Sequence, residues 1–185
     1  MQASIIAGSG IRRGELLALR WEDVDLNHGC LDIHRNLQRV NGQLVVGKPK
    51  SQNGSRKVIL PASLVEALKQ YRQWQRKDRL RRGVRPAEDL VIHNRHGQPF
   101  KPTTFSAAVK LAGKRAGFLL GPHTLRHYHA TLLLGSGINA RALQERLGHA
   151  NVNTTLMVYS HVLKSMEDEA ARAAESAACW EWIGE

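Results

Sequence analysis

His123, Arg126, His149 and Tyr159 fall within one stretch, Pro122 to Val162, which reads PHTLRHYHATLLLGSGINARALQERLGHANVNTTLMVYSHV. His123 and Arg126 are three apart, so on a helix they share a face. The turn Gly121-Pro122 puts that pair at a helix start, where exposed N–H groups favour an anion. His149 follows Leu-Gly, just past a helix ARALQERL that Gly148 stops. Tyr159 lies near the end of a further amphipathic run capped by Asn153. Taken singly, a histidine past a helix end is a capping contact and such a tyrosine is half-buried packing. Together they describe a nucleophile. A phenol ionises at about pH 10, so it attacks phosphorus only with cations close by and an acceptor for its proton. Arginine offers a planar fork to two non-bridging phosphate oxygens. Histidine moves a proton near neutral pH.

These groups need a scaffold, and the chain's punctuation outlines one. Met1–Gly10 reads as the last turns of an apolar segment ending in a glycine turn. In GSGIRRGELLALRW a glycine turn then enters a short helix. Arg12 sits at that entry, with Arg13 facing another direction. Glu15, three residues on, is placed to pair with Arg12 and fix its pose; the bland alternative is a surface ion pair worth little. Between Cys30 and Leu60 the runs LDIHRNLQRV, QLVVG and SRKVIL are separated by Asn41-Gly42 and Asn53-Gly54, which predicts a three-stranded antiparallel meander. Lys48 and Lys50 stand at the base of the second hairpin loop.

A helix follows from Pro61, with Leu64, Leu68 and Tyr71 on one face, and closes at Gly83. DLVIH reads as a short strand. Thr103 or Thr104 caps a helix carrying Phe105, Val109 and Ala112 that closes at Gly117, and Pro122 opens the central stretch. An alanine-rich last helix spans Lys164–Ala178. The expected class is α+β, mainly α, with a small three-stranded antiparallel sheet near the N-terminus.

The 185 residues, 42% apolar, are enough for one domain with a real core, or at most two small ones. A net charge of +11 points to a polyanionic partner. The charge is placed unevenly: Leu26–Gln144 holds 21 Lys and Arg against 5 Asp and Glu, whereas Lys164–Glu185 holds 2 basic and 6 acidic residues. Lys69–Arg85 alone carries 8 basic residues, which as a group suit a phosphate backbone and singly suit an exposed helix end. Cys30 and Cys179 form no CxxC, so neither a disulfide framework nor a zinc site is expected, and a cytoplasmic setting is the default. No apolar run spans a bilayer. His123 and His127 have metal-like spacing, but no HExxH pattern and no carboxylate cluster accompanies them. Neither metal nor cofactor is therefore expected, and positive charge for phosphoryl chemistry must come from side chains.

These segments resemble the catalytic domain of the tyrosine recombinases, the phage integrase family. GSGIRRGELLALRWEDVDL resembles the family's first box. KPKSQNGSRKVILP resembles its lysine hairpin. The stretch from Pro122 to Val162 resembles the second box, with H-x-x-R-H, L-G-H and the tyrosine in order. Each motif alone is weak; their order over nearly the whole chain is a strong signal.

The resemblance implies one catalytic domain over residues 1–185, without the family's N-terminal DNA-gripping domain and with residues 164–185 as a tail. It implies that Arg12 and Arg126 clamp the phosphate, that His123 assists proton transfer and that His149 hydrogen-bonds the scissile phosphate. Lys50 would protonate the leaving 5′ oxygen, with Lys48 the alternative, and Tyr159 would be the nucleophile. The implied activity is site-specific recombination of double-stranded DNA through a 3′-phosphotyrosyl link, by a homo-oligomer, a tetramer on DNA, when the protein is full-length. Other readings are topoisomerase-like nicking and resealing, a DNA-binding remnant without turnover and a basic RNA-binding protein.

Overall fold

The computed structural model describes residues 1–48 and 54–149. Lys50 and Tyr159, the Asn53-Gly54 turn's first residue, the Asn153 cap, Cys179 and the Lys164–Ala178 helix all lie outside the described residues.

Helix α1, Gln2–Ser9, puts Ile5 and Ile6 in the core and ends at Gly10, whose φ of 71° is left-handed. Arg12 then caps α2, Arg13–Ala18, in an extended conformation. The Glu15 carboxylate accepts from the Arg12 backbone N–H at 2.8 Å, which satisfies one of the helix's orphan donors. Leu16 and Leu17 are fully buried. After a 3₁₀ turn at Trp21–Asp23 come the strands β1, Val24–Asp25, and β2, Cys30–Ile33. The hairpin β3, Asn36–Val40, and β4, Gln43–Gly47, turns through Asn41 and Gly42, both at positive φ, as the Asn-Gly pair predicts. Strand β5 is Arg56–Ile59.

An antiparallel three-stranded sheet is present, but its order is β1-β2-β5, and β3-β4 stands apart as a two-stranded ribbon. The expected meander is corrected at two points. The run LDIHRNLQRV is split, because Arg35 leaves the ladder to pair with Asp23 and Glu22. Strand β5 then pairs with β2 rather than β4, placing Val58 opposite Leu31 where both are buried.

Helix α3, Ala62–Arg82, lays Leu64 and Leu68 on the core and ends at Gly83 with φ 65°. Its buried Gln75 accepts from the Trp21 indole at 2.7 Å and donates to the Val91 carbonyl at 3.0 Å. Several cations of Lys69–Arg85 are occupied internally. Arg72 covers the Trp21 ring, Arg79 bonds Asp89, and Arg81 and Arg82 bond Asp78. The segment DLVIH is not a strand. It makes an isolated bridge, Leu90 to Arg20, because the partner segment turns at once into the 3₁₀ turn.

Helix α4, Pro102–Arg115, buries Phe105 and Val109. Neither Thr103 nor Thr104 caps it: Lys101 is the N-cap, and Pro102, with φ already helical, opens the first turn. Helix α5 is Pro122–Gly135 and α6 is Ala140–Leu147, capped by the Asn139 side chain on the Arg141 N–H. Ala130, Leu134, Leu143 and Leu147 form a small second core between them.

The chain approaches its neighbours closely at Gly10. A Cβ there would lie 2.5 Å from His129 Cδ2 and 2.9 Å from Leu147 Cδ2, on a backbone that L residues rarely adopt. Gly10→Ala is expected to cost about 2 kcal/mol or more, read as a lowered denaturation midpoint at unchanged slope. An unchanged midpoint would show that the joint is loose.

Candidate active site

The C-terminus of α6 gathers three arginines from three distant parts of the chain. Helix ends leave their last carbonyls unsatisfied and carry partial negative charge, so guanidinium groups are suited to them. The Arg146 carbonyl accepts from Arg56 Nε at 2.6 Å. The Leu147 carbonyl accepts from Arg126 Nη2 at 2.7 Å. The Gly148 carbonyl accepts from Arg12 Nη2 at 2.7 Å. Arg126 also donates through Nη1 to the Gly10 carbonyl, so it ties the α1–α2 turn to the end of α6.

Gly148 makes this possible. Its φ of 65° turns the chain left-handed, its N–H returns to the Gln144 and Glu145 carbonyls, and the His149 N–H returns to Gln144. His149 thus leaves the helix directly beside the carbonyls that hold Arg126 and Arg12.

The two arginines expected to act together differ in exposure. Arg126 is 7% exposed, while 37% of the Arg12 side chain is open to solvent. Glu15, 2% exposed, anchors Arg12 through Nη1 at 2.9 Å and is itself gripped by Arg56. Burial works against the Glu15 carboxylate, yet the bonds and charge of Arg56 and Arg12 hold it below the usual carboxylate range.

The histidines follow the same logic with opposite sign. Burial first, then the positive charge of Arg126, Arg12 and Arg56, pushes His149 down to about 4. His149 is therefore a neutral ring at pH 7. His123 is also lowered, by partial desolvation and by Arg13, His127 and Arg126. His129, two turns into α5, is a structural histidine. Its Nδ1 meets the Ala7 carbonyl at 2.8 Å and its Nε2 accepts from Arg146 at 3.0 Å.

Next to this cluster lies a cleft lined by Arg12, Arg13, Arg39, Lys101 and His123. Arg13 points to Ser106, 2.7 Å away, and still shares the cleft with Arg12. Among the described residues no group of His, Cys, Asp or Glu has the arrangement of a metal site. No described helix is long and apolar enough to cross a membrane.

Of the six residues singled out in the sequence, Arg12, His123, Arg126 and His149 are therefore neighbours in space. Lys50 and Tyr159 lie outside the described residues, and Lys48 is exposed just beyond β4. Arg56 was missed by motif and spacing. Its signal was available: Arg56, Val58 and Leu60 alternate on the inward face of β5, where Lys57 and Ile59 face out.

The sequence profile of the Phage integrase family matches residues 2–166. The chain is 32% identical over 164 residues to the ICEBs1 integrase of Bacillus subtilis (strain 168), covering 88% of this chain and 45% of that protein. It is 35% identical over 160 residues to the tyrosine recombinase XerA of Thermococcus onnurineus (strain NA1), covering 85% of this chain and 49% of that one. The chain thus spans about half the length of the curated relatives it matches. Among solved structures, the Tn1549 transposon integrase in complex with transposon right end DNA superposes with a TM-score of 0.76 at 25% identity, over 93% of this chain and 57% of that chain. The XerA recombinase gives 0.69 at 29% identity, over 90% and 56%.

Because the His149 ring stays neutral in the fold down to about 4 but protonates near 6.5 when unfolded, folding stability falls as pH drops through that window. An NMR titration of the free protein should place the His149 midpoint near 4, with Arg126→Gln raising it. A midpoint at the ordinary value would show that the ring is neither buried nor beside the guanidinium groups.

Proposed function

The chain belongs to the phage integrase family, and from that premise we propose that it cleaves and rejoins double-stranded DNA at specific sites through a 3′-phosphotyrosyl intermediate, the chemistry of integration and excision. The observation that supports this best is the seating of Arg126 and Arg12 on the consecutive carbonyls of Leu147 and Gly148, beside a neutral His149.

In this reading one backbone phosphate occupies the space in front of Arg12 and Arg126, whose forks bind its non-bridging oxygens. The Tyr159 hydroxyl oxygen attacks phosphorus, and the bond from phosphorus to the 5′ oxygen breaks. The phenolic proton passes toward His123, whose lowered pKa keeps it an acceptor at neutral pH. Lys50 gives a proton to the departing 5′ oxygen. The guanidinium groups stabilise charge that grows on the equatorial oxygens, and their bonds to α6 fix them before the reaction, so little reorganisation is needed. His149 contributes as a neutral hydrogen-bond donor. A 5′ hydroxyl from a partner strand then attacks the phosphotyrosyl link and releases Tyr159. The ester energy is retained throughout, so no nucleotide hydrolysis is required.

The cleft cations Arg13, Arg39 and Lys101 extend the same surface and suit neighbouring phosphates. Strand exchange needs more than one active site, so the functional species is a homo-oligomer on DNA, a tetramer of the whole protein.

A duplex with a nick placed to trap the cleaved strand should yield a covalent complex on a denaturing gel. Tyr159→Phe is expected to yield none, and EDTA to change nothing. Arg126→Ala and Arg12→Ala should each slow adduct formation by about a hundredfold or more. Affinity should fall steeply with salt. A wild-type chain that binds the duplex and never links to it would support the remnant reading instead.

A further inference from the structure

The buried carboxylate of Glu15 serves two guanidinium groups unequally. Its Oε1 accepts from Arg12 Nη1 at 2.9 Å and from Arg56 Nη1 at 3.1 Å. Its Oε2 accepts from the Arg12 backbone N–H at 2.8 Å and from Arg56 Nη2 at 2.9 Å. The two-pronged pairing therefore belongs to Arg56, and Arg12 offers the carboxylate a single side-chain edge. Two guanidinium groups and one carboxylate leave one net positive charge. That charge faces outward at Arg12, because 37% of the Arg12 side chain is exposed against 7% of the Arg56 side chain.

Without Arg56, Glu15 would have Arg12 as its remaining guanidinium partner. In a buried setting such a pair binds strongly, and the carboxylate would both neutralise Arg12 and draw it from the Gly148 carbonyl. Arg56 is further fixed by donating to the Arg146 carbonyl at 2.6 Å and the Gly54 carbonyl at 3.0 Å. It thus joins the end of α6 to the chain that follows the lysine loop.

We propose that Arg56 is a positioning residue, which holds Glu15 in a two-pronged pair and thereby keeps the charge of Arg12 available to a DNA phosphate. The role of that phosphate rests on the strand-cleavage reading above.

The decisive comparison is Arg56→Gln against the double variant Glu15→Gln/Arg56→Gln. Both lose the bonds of Arg56 to the Arg146 and Gly54 carbonyls, and they differ in whether a carboxylate remains to capture Arg12. Each is checked for folding by circular dichroism and measured twice: for affinity to a short duplex of arbitrary sequence in a Tyr159→Phe background, and for the rate of adduct formation on nicked duplex. Arg56→Gln should weaken both by about tenfold or more, in the same direction as Arg12→Ala. The double variant should regain most of that loss. Arg56→Lys, which keeps the charge but cannot form the two-pronged pair, should fall between wild type and Arg56→Gln.

A folded Arg56→Gln protein with wild-type affinity and rate would overturn the proposal. So would a double variant as weak as Arg56→Gln. If Arg56→Gln does not fold, the double variant, which lacks the buried carboxylate, decides alone: binding as weak as that of Arg12→Ala would overturn the proposal. Should wild-type protein form no adduct, the strand-cleavage reading fails, while the affinity comparison still decides the role of Arg56.

Discussion

Three successive carbonyls at the end of one short helix hold this site together. Arg146, Leu147 and Gly148 each present an oxygen that the helix cannot satisfy, and each takes a donor from a different arginine. Arg56 comes from β5, Arg126 from α5 and Arg12 from the cap of α2. Segments more than a hundred residues apart in the chain are thereby fixed to within a hydrogen bond of one another. The negative end of the α6 dipole helps to offset the mutual repulsion of cations brought so close.

Each part of the scaffold can be read as serving that gathering. Gly10 lets α1 approach α5 closely enough for its carbonyl to receive Arg126. Gly148 reverses the chain so that His149 emerges beside the guanidinium groups of Arg12 and Arg126. Glu15 supplies a buried negative charge beside them and is itself held low by two arginines. Burial, and after it the same concentration of positive charge, keeps the nearby histidines neutral, which leaves His123 able to accept a proton and His149 able to donate a hydrogen bond.

Much of this was legible in the residues. Glycines and prolines marked the ends of α1, α3, α5 and α6 because positive φ and missing N–H groups are local properties. The Asn41-Gly42 hairpin was equally local. The Arg12–Glu15 pair could be anticipated from helical spacing. What failed was long-range. That β5 pairs with β2 and not β4 depends on Arg35 turning away to Asp23 and Glu22, which no strand propensity encodes. DLVIH has strand composition, but its partner segment ends too soon to build a ladder. Arg56 carried a visible sign, its alternation with Val58, yet a basic residue in a basic chain reads as surface until its partners are seen.

On the proposed reading, the guanidinium groups of Arg12 and Arg126, seated on the end of α6, receive a single DNA phosphate. The most direct measurement is a crystal structure of this chain with a duplex. One backbone phosphate should lie with its non-bridging oxygens about 3 Å from both guanidinium groups, while the bonds to the Leu147 and Gly148 carbonyls persist. A duplex bound on another face, with no phosphate reaching either arginine, would contradict it.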